Sequence, residues 1–174
     1  MRLTKAPGEA DFERNVLRHL DASYNLARWL LGNVHDAEDV VQESAVRAFT
    51  SYKTFRGSDA KAWFLAIVRN GCMNRLRSRS ATWSLSTEDH DVADCAPTPE
   101  QMAIRAWETE AAQAAIDGLP VEYREMIILR ELEGLSYKEI ATVTELPIGT
   151  VMSRLNRARS RLLRNLTHTE GDTP

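Results

Sequence analysis

Apolar residues recur at helical spacing through the first half of the chain, and no stretch alternates long enough for a convincing strand. From Asp11 to Leu31 they fall at steps of four and three, which predicts one amphipathic helix ended by Gly32-Asn33. A second helix is predicted from Asp36, as its N-cap, to about Thr50, and a third from about Ala60 to Ser80 with Ser58 as its cap. The inward positions of the first two helices are Phe12, Val16, Leu20, Tyr24, Ala27 and Leu31, and Ala37, Val40, Val41, Ala45, Ala48 and Phe49.

This apolar pattern stops between Ser84 and Pro99, where large apolar residues are scarce and acids and two prolines occur. Such a composition is typical of a linker. The sequence therefore predicts an all-α fold of two small helical domains joined by a flexible acidic linker. The predicted bounds are residues 1–80 for the first domain, 81–98 for the linker, 99–167 for the second domain and 168–174 for a frayed tail.

Helical spacing returns in the second half, where start and stop signals mark the helices. Thr98-Pro99-Glu100 combines a capping residue with proline at the first helical position, and Gly118 ends that helix after Asp117. Ser136-Tyr137-Lys138-Glu139 is a capping box, in which the serine accepts from the fourth residue's amide and the glutamate reaches back. The other predicted elements are a helix from Val121 to Leu132, a short helix from the capping box to about Val143, a turn from Thr144 to Pro147 and a final helix from Ile148 to about Leu166.

Composition places the 174-residue chain among ordinary globular proteins, with a formal net charge of −3. Its longest apolar run, Trp63–Val68, is far shorter than the roughly 20 residues of a membrane-spanning helix, and the N-terminus lacks the apolar segment of a secretory signal. Cys72 and Cys95 give neither a disulfide framework nor a zinc spacing. We therefore expect a cytoplasmic protein with no membrane insertion, cofactor or metal. The net charge alone would argue against a nucleic-acid partner.

The charges are, however, segregated along the chain. Residues 69–79 hold four arginines and residues 148–165 hold five, and neither stretch contains an acid. Residues 84–100 hold five acids and residues 35–43 hold four, without a lysine or arginine in either stretch. Solvated helix faces and a charged linker would explain any one block. Two basic blocks flanking an acidic one are more specific, because local patches rather than net charge set the field that a polyanion meets.

The last two predicted helices form a helix-turn-helix pattern. Small residues on the outer face of the final helix would let it approach base edges, and arginine and asparagine would supply bidentate contacts in the major groove. Basic residues near a helix C-terminus can merely complement its dipole, which explains Arg161 and Arg164 better than Arg154 and Arg157. The buried stripe consists of Val151, Leu155, Ala158 and Leu162, and the opposite face of Gly149, Ser153, Asn156 and Ser160, flanked by Met152 and Arg157.

Several stretches resemble the extracytoplasmic-function (ECF) sigma factors, the minimal promoter-recognition subunits of bacterial RNA polymerase. LP at 119–120, ELEGLSYKEIA at 131–141 and PIGTVMSRLNRAR at 147–159 are similar to that family's fourth region. DAEDVVQE at 36–43 and the stretch 63–77 are similar to its second region. The resemblance implies a region 2 helical bundle followed by a region 4 helix-turn-helix. It also implies promoter-specific transcription initiation, without any bond made or broken by the chain itself.

For the first domain, the resemblance implies recognition and melting of the minus-ten promoter element. The loop from Phe55 to Asp59 would capture a flipped base, because Gly57 permits close backbone approach and Phe55 offers a stacking surface. Trp63 fits this role and the hydrophobic core equally well. The residues implied at the minus-ten element are Phe55, Arg56, Gly57, Ser58, Lys61, Trp63, Asn70 and Arg77.

The resemblance also implies a polymerase-docking surface and a minus-thirty-five reader. Asp39, Gln42 and Glu43 would dock on a coiled coil of the polymerase's largest subunit, with plain solvation as the alternative. Met152 stands where the family usually has lysine or arginine, which affects promoter preference. In the final helix the implied base contacts are Met152, Ser153, Asn156 and Arg157, and the implied phosphate contacts are Thr150, Arg154 and Arg161.

The implied partners are core RNA polymerase, promoter DNA and an anti-sigma factor, and the chain would be monomeric when free of them. The acidic linker would thread the polymerase cleft or serve only as a soluble tether. A conventional helix-turn-helix regulator is the second hypothesis, and it would require a dimer interface or ligand pocket in the N-terminal half. An enzyme is the third, although the four histidines are scattered and no glycine-rich phosphate loop occurs.

Overall fold

The computed structural model describes residues 7–57, 59–83 and 110–169, and within these ranges it contains helices and turns but no strand. The prediction of an all-α fold with two helical domains is confirmed. The first domain consists of α1 (Pro7–Asn15), a 3-10 turn (Leu17–His19), α2 (Leu20–Leu31), α3 (Val34–Ser51), a second 3-10 turn (Tyr52–Thr54) and α4 (Ala60–Trp83). The second consists of α5 (residues 110–117), α6 (Val121–Ile127), a π-helical turn (Ile128–Leu132), α7 (Tyr137–Thr144) and α8 (Ile148–Thr169).

A break after α1 shows that the prediction of one helix from Asp11 to Leu31 is wrong. At the break, Val16 has a φ of −111° and a ψ of −53°, and a 3-10 turn follows. The ring of Phe12 packs edge-on against Phe49 and Tyr52, at centroid distances of 5.2 and 5.3 Å, so tertiary packing sets the direction of α1. Phe49, predicted to face inward, is 48% exposed, with its ring packed edge-on against Phe12.

Two helices have capping residues other than the predicted ones, and α4 starts at Ala60 as predicted. Asn33, not Asp36, caps α3: its side-chain oxygen accepts from the Asp36 amide at 3.0 Å. At the start of α4, Asp59 Oδ1 accepts from the Ala62 amide at 2.9 Å, the geometry of an N-cap. Ser58, the predicted cap of this helix, lies outside the described residues. In both cases a neighbouring side chain with the same capping chemistry occupies the cap position.

The core of the first domain lies where α2, α3 and α4 pack against one another. A Cβ added to Gly71 would lie 2.9 Å from Val40 Cγ1, so glycine permits the close approach of α4 to α3. Cys72 is fully buried beside it, and burial raises the pKa of its thiol to about 12. This cysteine therefore stays protonated and acts as a small apolar core residue.

The second domain contains the predicted helix-turn-helix, in which α7 and α8 are joined by residues 145–147. The predicted capping box is present, since Ser136 Oγ accepts from the Glu139 amide and Glu139 Oε2 accepts from the Ser136 amide at 2.6 Å. Glu145 adopts a left-handed conformation with a φ of 57°, which ends α7. The buried face of α8 packs on α6 through Val151, Leu155 and Ala158, as the spacing predicts.

The two domains contact each other directly, because α7 packs on α4 and α6 on α2. Of the predicted linker, residues 81–83 belong to the last turn of α4, and residues 84–98 lie outside the described residues. The helix predicted to start at Thr98 is described only from residue 110 to residue 117. The domain contact therefore brings parts of the chain together that are 50 or more residues apart in sequence.

Candidate nucleic-acid interface

The outer face of α8 is open to solvent along its predicted recognition surface. Ser153 and Asn156 are exposed, and Met152 is 47% exposed. The hydroxyl of Ser153 donates to the Thr150 carbonyl within the helix, which leaves its oxygen available as an acceptor. This face therefore presents small polar groups and one thioether, with backbone hydrogen bonds already satisfied.

The arginines of α8 have different partners, and only some of them are exposed enough to bind a polyanion. Arg154 lies 3.8 Å from Glu125, whose side chain is 1% exposed, so its charge is compensated inside the domain. Arg159 donates to Glu131 at 2.7 Å. Arg161 stacks over the Tyr123 ring at 4.9 Å, and with Arg157 and Arg164 it lines a cleft of about 450 Å³.

The loop predicted to capture a flipped base forms one side of a second, larger cavity of about 640 Å³. Phe55 packs against Trp63 at a centroid distance of 4.6 Å and lies parallel to Tyr52 at 6.3 Å. A Cβ on Gly57 would lie 2.7 Å from the Phe55 ring, so this glycine permits the ring to lie against the loop backbone. Trp63 is half-buried in this aromatic cluster, which agrees with both of its predicted roles.

The remaining residues predicted for the minus-ten element lie in several environments. Arg56 donates to the Lys53 carbonyl at 2.7 Å, and Arg77 donates to Asn74 at 2.8 Å. Lys61 and Asn70, by contrast, contact the second domain: Lys61 Nζ donates to the Glu133 carbonyl at 2.8 Å, and Asn70 donates to the Glu145 carboxylate at 3.5 Å. Ser58 lies outside the described residues.

Sequence reasoning missed the carboxylates of the second domain that meet the basic face of α4. Glu125 accepts a bidentate pair from Arg69, at 2.9 and 3.2 Å, and Glu133 lies 3.7 Å from Lys61. The only sequence signal for Glu125 is its place among buried apolar residues of α6, where an acid needs a partner. Tertiary packing decides which basic side chain pairs with Glu125.

The predicted polymerase-docking residues share one exposed face of α3. Asp39 is 62% exposed and lies 3.9 Å from Arg75, and Glu43 lies 3.8 Å from Arg47 one turn along the helix. Gln42 is exposed between them. Exposed pairs of this kind contribute about 0–1 kcal/mol each, so these carboxylates can exchange partners at little cost.

Together these features describe a helical protein with a helix-turn-helix in one domain and an aromatic cavity in the other. Comparison with known families gives the same division. Residues 16–82 match the family Sigma-70 region 2, and residues 109–162 match the family Sigma-70, region 4.

Relatives in other bacteria extend the match over most of the chain. It is 31% identical over 157 residues to the ECF RNA polymerase sigma factor SigW of Bacillus subtilis, covering 84% of this chain and 83% of the relative. It is 37% identical over 149 residues to the ECF RNA polymerase sigma factor SigE of Mycolicibacterium smegmatis, covering 84% of this chain but 58% of that relative. The chain belongs to the ECF sigma factors of the sigma-70 family.

A solved structure supports the same assignment. The sigma factor RpoE of Bartonella quintana, in complex with the anti-sigma factor NepR, superposes with a TM-score of 0.72 at 29% sequence identity. The superposition covers 90% of this chain and 97% of RpoE. In the described parts of this chain, no helix combines the length and apolar character that crossing a membrane requires.

Proposed function

We propose that this chain binds core RNA polymerase and directs it to promoters by contacts to the minus-thirty-five and minus-ten elements. One observation carries the proposal: a capped helix-turn-helix whose outer α8 face presents Ser153, Asn156 and Arg157 to solvent, with no acid between residues 148 and 165. Such a face suits the major groove of DNA. The chain supplies recognition and binding, and the polymerase supplies the chemistry.

At the minus-thirty-five element, Met152, Ser153, Asn156 and Arg157 would contact base edges. Arg161 is exposed in the basic cleft and suits a phosphate contact, as does Thr150 near the helix start. Arg154 is half-buried beside Glu125, so its contribution to phosphate binding would be reduced by that carboxylate.

Transcription reconstituted with core polymerase tests this surface. We expect Arg157→Ala to weaken promoter binding by about 1–3 kcal/mol, the usual contribution of a bidentate base contact. Arg159→Ala is the matched control, because Arg159 lies on the same helix but pairs with Glu131. Run-off transcription from a promoter library would measure both variants. Equal output from Arg157→Ala and the parent, at equal thermal stability, would contradict the proposal.

At the minus-ten element, the cavity beside Phe55 would take an extruded base of the opened strand. Aromatic side chains bind unpaired bases by stacking, and basic groups nearby bind the backbone phosphates. Phe55, Gly57 and Trp63 form the aromatic part of this site, while Arg56, Lys61, Asn70 and Arg77 supply polar and basic groups along the loop and α4.

Docking on the polymerase would use the exposed face of α3. We expect charge reversal at Asp39 and Glu43, as Asp39→Lys with Glu43→Lys, to lower co-purification with core polymerase several-fold, because like charges across an interface cost several kcal/mol. Reversal at Asp21, the acid of the first turn of α2, serves as the control. Unchanged co-purification of the double variant would rule out this surface.

We also propose that the chain acts in the cytoplasm as a monomer when free of partners, and that an anti-sigma factor controls it. The superposition on RpoE, solved with an anti-sigma factor, supports this regulation. Family membership supports the absence of enzymatic activity, since sigma factors are initiation factors.

A further inference from the structure

The 640 Å³ cavity beside the base-capturing loop has a second wall, formed by residues outside the predicted DNA-binding set. One wall is the loop itself, with Phe55 and Gly57. The other wall comes from the end of α1 and the 3-10 turn after it, through Asn15, Arg18 and His19. The break between α1 and α2 therefore delivers polar side chains to the cavity that a continuous helix would direct elsewhere.

Asn15 is held in place by the loop side of the cavity. Its Nδ2 donates to the hydroxyl of Tyr52 at 3.0 Å, and Tyr52 also packs parallel to Phe55. An asparagine amide carries two donor hydrogens and one acceptor oxygen, so this bond leaves one donor and the acceptor for a ligand. That is the complement by which an asparagine pairs with a base edge.

His19 is half-buried beside Asn15 and has the properties of a neutral hydrogen-bonding group. Burial lowers the pKa of its imidazole, and Arg18 and Lys61 lower it further, against a smaller opposing effect of the Asp59 carboxylate. A neutral imidazole offers one donor and one acceptor. Such a pair discriminates among bases, whereas a charged imidazolium would bind any nearby phosphate.

The cavity also contains charged side chains. Arg18 is exposed on the α1 side, and Lys61 lies at the start of α4, where it contacts Glu133. Asp59 also lines the cavity, and one of its carboxylate oxygens accepts from the Ala62 amide at the start of α4. Beside this carboxylate, the cavity combines an aromatic surface, two neutral hydrogen-bonding side chains and two cations. An unpaired nucleotide needs each of these: a ring to stack on, partners for its base edge and a charge for its phosphate.

We propose that Asn15 and His19 are specificity-determining residues that select the base trapped against Phe55, and that Arg18 binds the adjoining phosphate. The proposal rests on the proposed capture of an extruded base in this loop, and it adds the residues that decide which base is accepted. Arg18 contributes affinity without sequence preference, because phosphates are the same for every base.

The test is selection of active promoters from a library randomised across the minus-ten region, with holoenzyme assembled from core polymerase and each variant. For Asn15→Ala and His19→Ala we expect the base preference at one position to fall by about fivefold or more, while the other positions keep theirs. Arg18→Ala should lower output from all sequences alike. Arg14→Ala is the matched control, because Arg14 precedes this wall and pairs with Asp11.

The outcomes separate this proposal from the base-capture function on which it rests. If Phe55→Ala alters the preference but Asn15→Ala and His19→Ala do not, the second wall is not a specificity determinant and the proposal is overturned. If Phe55→Ala also leaves every preference unchanged, base capture in this loop is itself wrong. His19→Gln, which retains a donor and an acceptor in a different geometry, should shift the preferred base, whereas an unaltered preference would count against the role of His19.

A free nucleotide offers the same chemistry as a base in DNA, and a direct binding arm distinguishes the two. The holoenzyme is titrated with each of the four deoxynucleoside monophosphates and with a fluorescent single-stranded promoter oligonucleotide. We expect measurable competition only from unlabelled oligonucleotide. Competition by one monophosphate at an equal concentration would show that the cavity binds free nucleotides, and would overturn its assignment to promoter specificity.

Discussion

Ser136 and Glu139 show how one pair of side chains defines the start of the helix-turn-helix. Each accepts a hydrogen bond from the backbone amide of the other, and this bonding lowers the pKa of the Glu139 carboxyl, chiefly through Ser136. A carboxyl with a lowered pKa in the folded state stabilises the protein above its unfolded pKa of about 4.3. That stabilisation is lost as the pH falls through the lower, folded pKa.

We expect Ser136→Ala to reduce the free energy of unfolding by about 1 kcal/mol near neutral pH. The reduction should shrink in acid, because protonated Glu139 no longer gains from Ser136. Urea unfolding near pH 7 and below about pH 4 measures the difference. Ser160→Ala is the control, since its hydroxyl bonds only the Asn156 carbonyl. An equal loss for Ser136→Ala at both pH values would contradict the argument.

Single residues of α8 could be predicted from the sequence, whereas their partners could not. The period of apolar residues is enough to predict that Val151 and Leu155 are buried and that Asn156 is exposed. It says nothing of Glu125, which lies in another helix and compensates Arg154. The helical period determines which way each side chain points around its own helix. Pairing between side chains of different helices depends on how those helices pack.

At the scale of elements, the glycines of α4 and α8 differ in how closely they are packed. In α4, Gly71 lies against Val40, and a Cβ there would come within 2.9 Å of a methyl carbon. In α8, a Cβ on Gly149 would meet nothing within 4 Å. In a helix interior, alanine is favoured over glycine by about 0.8–1 kcal/mol. The gain is smaller at Gly149, the second residue of α8, and packing decides the sign of the substitution at Gly71.

We expect Gly71→Ala to destabilise the first domain, because overpacking costs about 1–3 kcal/mol and exceeds the gain in helix propensity. Gly149→Ala, its matched control, should stabilise the second domain by up to about 1 kcal/mol. Thermal unfolding of both variants measures the two effects. A Gly71→Ala protein as stable as the parent would show that α3 and α4 separate easily at this contact.

Helix boundaries agree with the predicted ones where a capping residue or a glycine marks them, as at Gly32, Gly134 and the capping box. The break at Val16 has no such marker, because it arises from the packing of Phe12 on Phe49 and Tyr52. The π-helical turn at Ile128–Leu132 likewise lies within a continuous apolar pattern. Local signals predict where helices start, and contacts from distant helices decide where they bend.

At the scale of the whole molecule, the contact between the domains occupies residues proposed to bind the minus-ten element. Lys61 and Asn70 contact Glu133 and Glu145, and Arg69, beside them on α4, pairs with Glu125. No sequence period predicts this arrangement, because acidic side chains of one domain meet basic side chains of the other that are more than 50 residues away in the sequence. The carboxylates of Glu133 and Glu145 thus engage Lys61 and Asn70, which are proposed to contact DNA.

Binding of both promoter elements by the proposed surfaces would require this contact to open. The two elements are separated by about 25 base pairs, or about 85 Å at 3.4 Å per base pair. A compact chain of this length has a radius of gyration of about 16 Å. With α7 packed on α4, the two proposed DNA surfaces cannot reach both elements together. We therefore expect the arrangement described here to be that of the free protein.

Glu133 is the residue through which this expectation can be tested. Its carboxylate accepts from Asn25 at 3.1 Å and lies 3.7 Å from Lys61, so Glu133→Lys places two lysines together across the contact. We expect a larger radius of gyration by small-angle X-ray scattering and tighter binding of a single-stranded minus-ten oligonucleotide. Glu131→Lys makes the same charge change two residues away, at a side chain that pairs within its own domain.

Combining Glu133→Lys with Lys61→Glu separates loss of the contact from general damage to the fold. The exchange restores opposite charges at the same place, so the radius of gyration should return toward that of the parent. Oligonucleotide binding by the double variant should stay weak compared with that of Glu133→Lys, because Lys61 is itself proposed to contact DNA. A radius unchanged in Glu133→Lys would show that packing of α7 on α4 holds the domains together without this ion pair. Expansion in Glu131→Lys as well would mean that net charge, rather than the contact between the domains, sets the compactness of the free protein.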